Sequence, residues 1–545
     1  MNGGSRSFQV RRAAAILFVG AWLAVPALGN NLGQSTATRD FKKALTLGEG
    51  QTVSLEHKFG DVRIHGENTR EVKIAATIRV QSHSQAEADK FADEVKIEVS
   101  QDSSGIKVRT VYPSDAAGGF KLFSGSTPSF SADYDITVPI DAKLWMRNNF
   151  GNVEVRDVRG WADIENGHGR LNVQDGGSTK LTNSFGSVEL TGADGGVTIV
   201  NTNGAVSATA VKGALDIKDR FASITVSNVQ GAVTISGGNG AVEVADAGGA
   251  KINNSFGSVN ARNIRGDLVV NDNNGAIEVN TVSGGAQLNT SFGSINFTNV
   301  NGAVKCTSSN GRVHGSGAGN DVYVKTTFGE VSLEQVNGPV EVEDSNGSIA
   351  VKEIKGKATL NTSFGTIEAS GLPKGVRATT GNGRISLSDV GADVYAKTSF
   401  GAVSVQRVNG NLIVENSNGP VNASGVKGDA TARTSFGAVT LDDVTGAITV
   451  DNQNGVVTVS AARSSSGCRP ISLKTSFSPM QLRLPEDASY QITARTSFGH
   501  ITSELPITST GVISGDALNG KIGSGACTLS LTNSNGNIDI LKLGR

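Results

Sequence analysis

Phenylalanine recurs at residues 185, 221, 256, 292, 328, 364, 400 and 436, spaced by 35 or 36, and Phe150 precedes the series by 35. Midway between these rings stand Asn203, Asn274, Asn310, Asn346, Asn382, Asn418 and Asn454, each followed by Gly. Phe328 to Asn346 is 18 residues, and Asn346 to Phe364 is 18 again. The unit is therefore 18 residues, with Phe and Asn alternating at one corner in a 36-residue double repeat. A period of this size demands stacked coils, because one such unit cannot bury its own apolar side.

Within a unit the pattern is that of strands. Val331 and Leu333 lie two apart and share a face, as do Val340 and Val342, with Val336 between the pairs. Asn337-Gly338 and Asn346-Gly347 mark corners, where Gly is expected to supply positive φ. The inward positions fall 3, 5, 8, 12 and 14 residues after Phe328, which excludes a hexapeptide left-handed helix. The expected fold is an all-β, right-handed parallel β-solenoid of 18-residue coils with capped ends. Residues 150–461 supply about 17 coils, a rod on the order of 80 Å at ~4.8 Å per coil. The column three residues before the corner reads Lys325, Glu343, Asn361, Thr379, Lys397, Glu415, Arg433, Asp451, so opposite charges recur on adjacent coils.

The ends depart from the period. Residues 1–29 read as a signal peptide: Arg6, Arg11 and Arg12 precede an apolar run from Ala13 to Val25, with small residues at Ala27 and Gly29. The run is short for a membrane span, and none is expected in the mature chain. Residues 30–145 read as a β-rich cap with one short helix, opened by a Ser84/Glu87 capping box and carrying Ala88, Phe91, Ala92 and Val95 on its apolar face. Residues 146–461 hold the regular coils, and residues 462–545 read as irregular β coils and a second cap. Bare solenoid ends would expose unpaired edges, which is why both regions are expected to cap.

The Val53–Ile64 segment with Phe59-Gly60-Asp61-Val62, the extended Tyr134–Pro139, the closing Asn535–Ile540 and the Asn-Gly/Phe-Gly coils together resemble the bacterial "putative adhesin" β-strand-repeat family (domain of unknown function 4097). The resemblance implies an extracytoplasmic β-solenoid and carries no catalytic residues.

Loss of residues 1–29 removes three Arg and no acid, leaving 46 bases against 50 acids, a net charge of −4. Without a basic stripe, nucleic-acid binding is not expected. Cys468 and Cys527 form the candidate disulfide, and Cys306 sits at an inward position as a free, buried thiol. A polysaccharide-processing β-helix enzyme would need acid and base stacked on neighbouring coils. Asp442-Asp443 is an adjacent acid pair in the clear repeats, and Ser424, Gly425, Ser460 and Ala461 flank it one coil away. His57, His65, His83, His168, His314 and His500 share no column; the recurrent motifs of calcium and phosphate loops are missing. Tyr323 and Tyr395 share an outward column four coils apart and read as surface residues.

No catalytic, metal or cofactor site is therefore expected. The corner ladder of Phe256, Phe292, Phe328, Phe364, Phe400 and Phe436 with Asn274, Asn310, Asn346, Asn382, Asn418 and Asn454 is the candidate site. The favoured reading buries the rings as corner plugs, with Asn satisfying backbone groups; the alternative exposes them as an adhesive stripe. The functional expectation is an exported scaffold or adhesin-like module bound to an envelope protein or polysaccharide. A polysaccharide-processing enzyme and a self-assembling fibre are the alternatives.

Overall fold

A computed structural model describes residues 35–113, 128–462, 469–509 and 514–544. The chain forms a parallel β-solenoid of about 18 turns with coils of about 18 residues. Each regular coil carries two strands, such as Val331–Val336 and Val340–Glu343. Every strand pairs in parallel with its equivalents above and below: Val342 lies between Val324 and Leu360. The two 35-residue spacings each conceal one 17-residue coil, seen where Ala162 pairs with Thr179 and Val242 with Val259.

The repeat works because five positions per coil point inward. Val331, Leu333, Val336, Val340 and Val342 are all buried, and the same columns continue into one core. Burial of each such side chain contributes roughly 1.5–3 kcal/mol, realised only when a neighbouring coil covers it. Cys306 occupies this core between Leu288 and Val324 as a free thiol, and burial pushes its pKa up. Phe297 is the one ring of the regular coils that is fully buried; the coil above answers with Gly315, where any Cβ would strike the ring.

The corners correct one expectation. Gly in the Phe-Gly and Asn-Gly steps is not, over most of the rod, a positive-φ residue. It is required by proximity: a Cβ at Gly347, Gly365, Gly383 or Gly401 would collide with the carbonyl oxygen of the Gly one coil below. Positive φ belongs to the other corner, at Gln335, Glu353, Asp389, Arg407 and Asp443, with Gly317, Gly371 and Gly425 in the same column. Most of these residues carry a Cβ, so the stacked ladder holds them in the left-handed region at some cost.

Both ends are closed. Gly105–Val111 and Ser129–Pro139 form the outermost parallel layer of the N-terminal end. Beyond it, Lys96–Asp102 and Glu71–Ser82 pair antiparallel, and Ser35–Thr46 pairs antiparallel with Glu71–Ser82. The helix Gln85–Glu94 packs over these strands, its N-cap Ser84 accepting from the Glu87 N–H. The Glu87 carboxylate accepts from the Ser82 hydroxyl, so it bonds outside the Ser84 cap. Stack order differs from chain order here: Thr52–Glu56 and Val62–Glu67 lie between the outermost layer and the coil Lys143–Arg156. The C-terminal end mirrors this, with Cys527–Thr532 and Ile538–Lys542 inserted between Ile471–Leu484 and Tyr490–Ser503. Tyr490–Arg495 is then covered antiparallel by Ala517–Ile522. At each end a segment tucked one layer inside the outermost strands ties the cap to the rod.

The N-terminal cap contains a buried polar cluster. His57 Nδ1 lies 3.1 Å from Thr110 Oγ1, which lies 2.6 Å from the Tyr134 hydroxyl. Burial lowers the His57 pKa from 6.5 to about 4, so the folded cap holds a neutral ring. Between those pH values the unfolded segment takes up a proton that the folded cap refuses, so cap stability is lost as pH falls from 6.5 towards 4. Hydrogen exchange across Gly105–Val111, corrected for intrinsic rates, should accelerate over that window. Protection unchanged between pH 7 and 4 would contradict it.

Candidate binding face

The face is built from the tetrapeptide that makes each corner, and its anchor is the residue two before the Phe or Asn. Thr362 is buried; its hydroxyl donates to Gly347 O of the coil below at 3.1 Å and accepts from Gly365 N at 3.3 Å. Thr380 and Thr398 repeat both bonds. Asn416 and Asn452 do the same with an amide. This inner ladder escaped the sequence reading. Its signal was a polar residue recurring two positions before the corner Phe or Asn, at Thr290, Ser308, Thr326, Thr362, Thr380, Thr398, Asn416, Thr434 and Asn452.

Asp219, Asp272 and Asp344 stand in the same buried column. Desolvation raises their pKa, opposed by backbone N–H donors such as Ser345 N. An ionised carboxylate cannot donate to the carbonyl below, and Asp344 Oδ2 has no hydrogen-bond partner among the described residues. Folded carboxyls with raised pKa bind more protons than unfolded ones, so their penalty grows as pH rises above 3.8. Asp344→Asn should therefore stabilise the local coils at pH 7 by roughly 1–2 kcal/mol, adopting the Asn416 pattern. Slower exchange at Ile349–Ile354 would register the gain; faster exchange would contradict the account.

The anchored corner turns its central residue outward. Phe256, Phe292, Phe328, Phe364, Phe400 and Phe436 expose 54%, 66%, 63%, 62%, 64% and 62% of their surface. The expectation that these rings plug the corners is corrected. Space inside the corner is already filled by the Thr/Asn ladder and the contact between successive Gly backbones, leaving the ring no inward route. The alternating Asn turns back onto the backbone. Asn274, Asn310, Asn346, Asn418 and Asn454 each donate Nδ2–H to the backbone carbonyl of Ser255, Ser291, Thr327, Ser399 and Ser435, at 3.2–3.4 Å. Asn382 lies in the same row, its backbone N–H donating to Ser363 O.

The row extends to both caps. At the C-terminal end Phe477 N binds Gln453 O, Asn535 N binds Ser476 O and Phe498 N binds Ser534 O. Asn454, Phe477, Asn535 and Phe498 thus alternate in space although they do not in sequence. At the N-terminal end the alternation gives way to a continuous stack. Phe59, Phe150, His168 and Phe185 follow one another at centroid distances of 5.3, 4.6 and 4.8 Å, within 14° of parallel.

Other chemistry finds no assembly. Among the described residues no group of three or more His, Cys, Asp or Glu is placed to hold a metal ion. Asp443 is one of the positive-φ corner residues, and Ser424 and Ser460 pair beside Asp442. Tyr323 and Tyr395 each donate to a glutamate, Glu343 and Glu415, at 3.1 Å, and Arg377 covers the Tyr395 ring. The expected charge column forms pairs: Lys325–Glu343, Lys397–Glu415, Arg433–Glu415 and Lys474–Asp451. They are exposed and each is worth ~0–1 kcal/mol, so they report register more than strength. Cys527 is disulfide-bonded; Cys468, its expected partner, lies outside the described residues. No helix among the described residues is long and apolar enough to cross a membrane.

Fold and face define a class: a parallel β-solenoid that presents one outward row of rings. The chain resembles the Toastrack DUF4097 family, whose model matches residues 371–541. Two similar crystal structures are a "putative cell adhesion protein" from Clostridium sporogenes and a "putative adhesin" from Parabacteroides distasonis. The first is 12% identical with a TM-score of 0.20, covering 39% of this chain and 100% of its own. The second is 13% identical with a TM-score of 0.15, covering 61% of this chain and 97% of its own. No curated protein matches the sequence.

Proposed function

We propose that this protein is an exported, non-enzymatic, adhesin-like rod that binds an envelope protein through the Phe–Asn row. The observation that carries the reading is the exposure of the ring in every second coil from Phe185 to Phe436, over half its surface in each case. A regular row of exposed rings of that kind marks an interaction surface. A protein partner suits it better than a polysaccharide. The exposed rings supply the apolar area that a protein interface rests on, and Asn274, Asn310, Asn346, Asn418 and Asn454, each with one amide N–H on the backbone, keep the second N–H and Oδ1 for polar contacts around it. The stretch of residues 1–29, with its basic start and apolar run, supports export.

The test compares beads carrying the mature protein with beads carrying Phe256→Ser, Phe292→Ser, Phe328→Ser and Phe364→Ser combined. Retention of proteinaceous envelope fragments should fall at least ~10-fold in the variant. Equal retention would overturn the reading, as would retention abolished by polysaccharide-degrading treatment and untouched by protease.

A further inference from the structure

The row contains an unfilled pattern. Rings one coil apart stack well in this column: His168 lies between Phe150 and Phe185, 4.6 and 4.8 Å from them and nearly parallel to both. From Phe185 onward the chain stops supplying that intervening ring. Phe256, Phe292, Phe328, Phe364, Phe400 and Phe436 stand two coils apart, roughly 9.6 Å, with Asn held against the backbone between them. Each interval is the width that one inserted ring occupies in the His168 stack. Filling a whole series of such slots requires a rigid array of rings with the same ~9.6 Å repeat, and this chain is itself such an array.

We infer that the Phe–Asn row is the interface with a second copy of this chain, the two rows interdigitating so that each ring of one enters an Asn slot of the other. The inference rests on the proposed binding face and names its partner. A two-fold axis across the rod, placed between a Phe level and the next Asn level, brings every Phe opposite an Asn, so the contact is self-complementary and closes as a dimer. Eight rings from Phe185 to Phe436, each presenting somewhat over half of its ~200 Å², would remove about 1,000 Å² per partner, or about 2,000 Å² in all. That is the size of a specific, stable interface. The filled stack from Phe59 to Phe185 leaves no slots at the N-terminal end, which limits sliding of one rod along the other.

Analytical ultracentrifugation of the full mature chain tests this with two opposed variants. Wild type should sediment as a dimer with a midpoint below ~10 µM. Combined Phe256→Ser, Phe292→Ser, Phe328→Ser and Phe364→Ser should raise the dissociation constant about 100-fold or more. Combined Asn274→Phe, Asn310→Phe and Asn346→Phe fills the slots with the chain's own rings, as His168 does. It should weaken pairing equally although it adds apolar surface. Circular dichroism verifies that both variants keep their strand content. A wild type that stays monomeric at ~100 µM overturns the inference. So does stronger association of the Asn→Phe variant, the behaviour of an unspecific sticky stripe. A monomeric wild type whose Phe→Ser variant still loses envelope binding would reject self-pairing alone and leave the binding face standing.

Discussion

Gly365→Ala should disrupt the coils around it by roughly 3 kcal/mol or more, far beyond an ordinary surface glycine substitution. The Gly365 backbone does not need a positive φ; the obstacle is the Gly347 carbonyl oxygen directly below, into which a Cβ would be driven. The same oxygen accepts the Thr362 hydroxyl, so the coil cannot move away without breaking the inner ladder. Gly347 and Gly383 repeat the contact on adjacent coils, which propagates the strain along the stack. Gly544→Ala, where nothing lies within 4 Å of an added Cβ, is the control and should be neutral. A repeat array need not unfold in one step, so the measurement is local hydrogen exchange over Ile349–Ile354 and Ile367–Leu372. Unaltered protection there would show that the coils are looser than described.

Phe297→Ala and Phe364→Ala should behave as opposites although both remove a ring from the regular coils. Phe297 is 1% exposed and fills space that Gly315 leaves open, so its loss creates a cavity and should cost roughly 3–5 kcal/mol locally. Phe364 is 62% exposed, so its loss should change stability by no more than ~0.5 kcal/mol and should weaken binding instead. Gly315→Ala restates the first case from the other side, because the Cβ would meet the Phe297 ring. Exchange at Ile295–Val300 and Val313–Ala318 reports the cavity. Loss of protection in Phe364→Ala, with Phe297→Ala tolerated, would invert the assignment of core and face.

Much of the rod was legible because its periodicity is strict. Val342 pairs with its equivalents 18 residues away on both sides, and Cys306 lies inside, both as the column pattern requires. The helix at Gln85–Glu94 was also readable, from the Ser84 cap and its apolar face. The stack order at the ends was not. Nothing in local pattern says that Thr52–Glu56 passes between Gly105–Val111 and Lys143–Phe150, because that order depends on long-range closure. The direction of the Phe row was misjudged for a related reason. Hydrophobicity argues for burial, but the corner interior was already taken by Thr362 and its equivalents, whose repeated polar signature was overlooked. Glycine was assigned a dihedral role where the coil spacing gave it a steric one.

The central claim is that the exposed rings serve binding and not the stability of the rod. One sample decides it: the mature chain carrying Phe256→Ser, Phe292→Ser, Phe328→Ser and Phe364→Ser, with hydrogen exchange across residues 250–380 and binding measured on the same preparation. The account predicts exchange protection equal to wild type within ~0.5 kcal/mol, and binding reduced at least ~10-fold. Protection lost throughout those coils, or binding retained with protection intact, would contradict it.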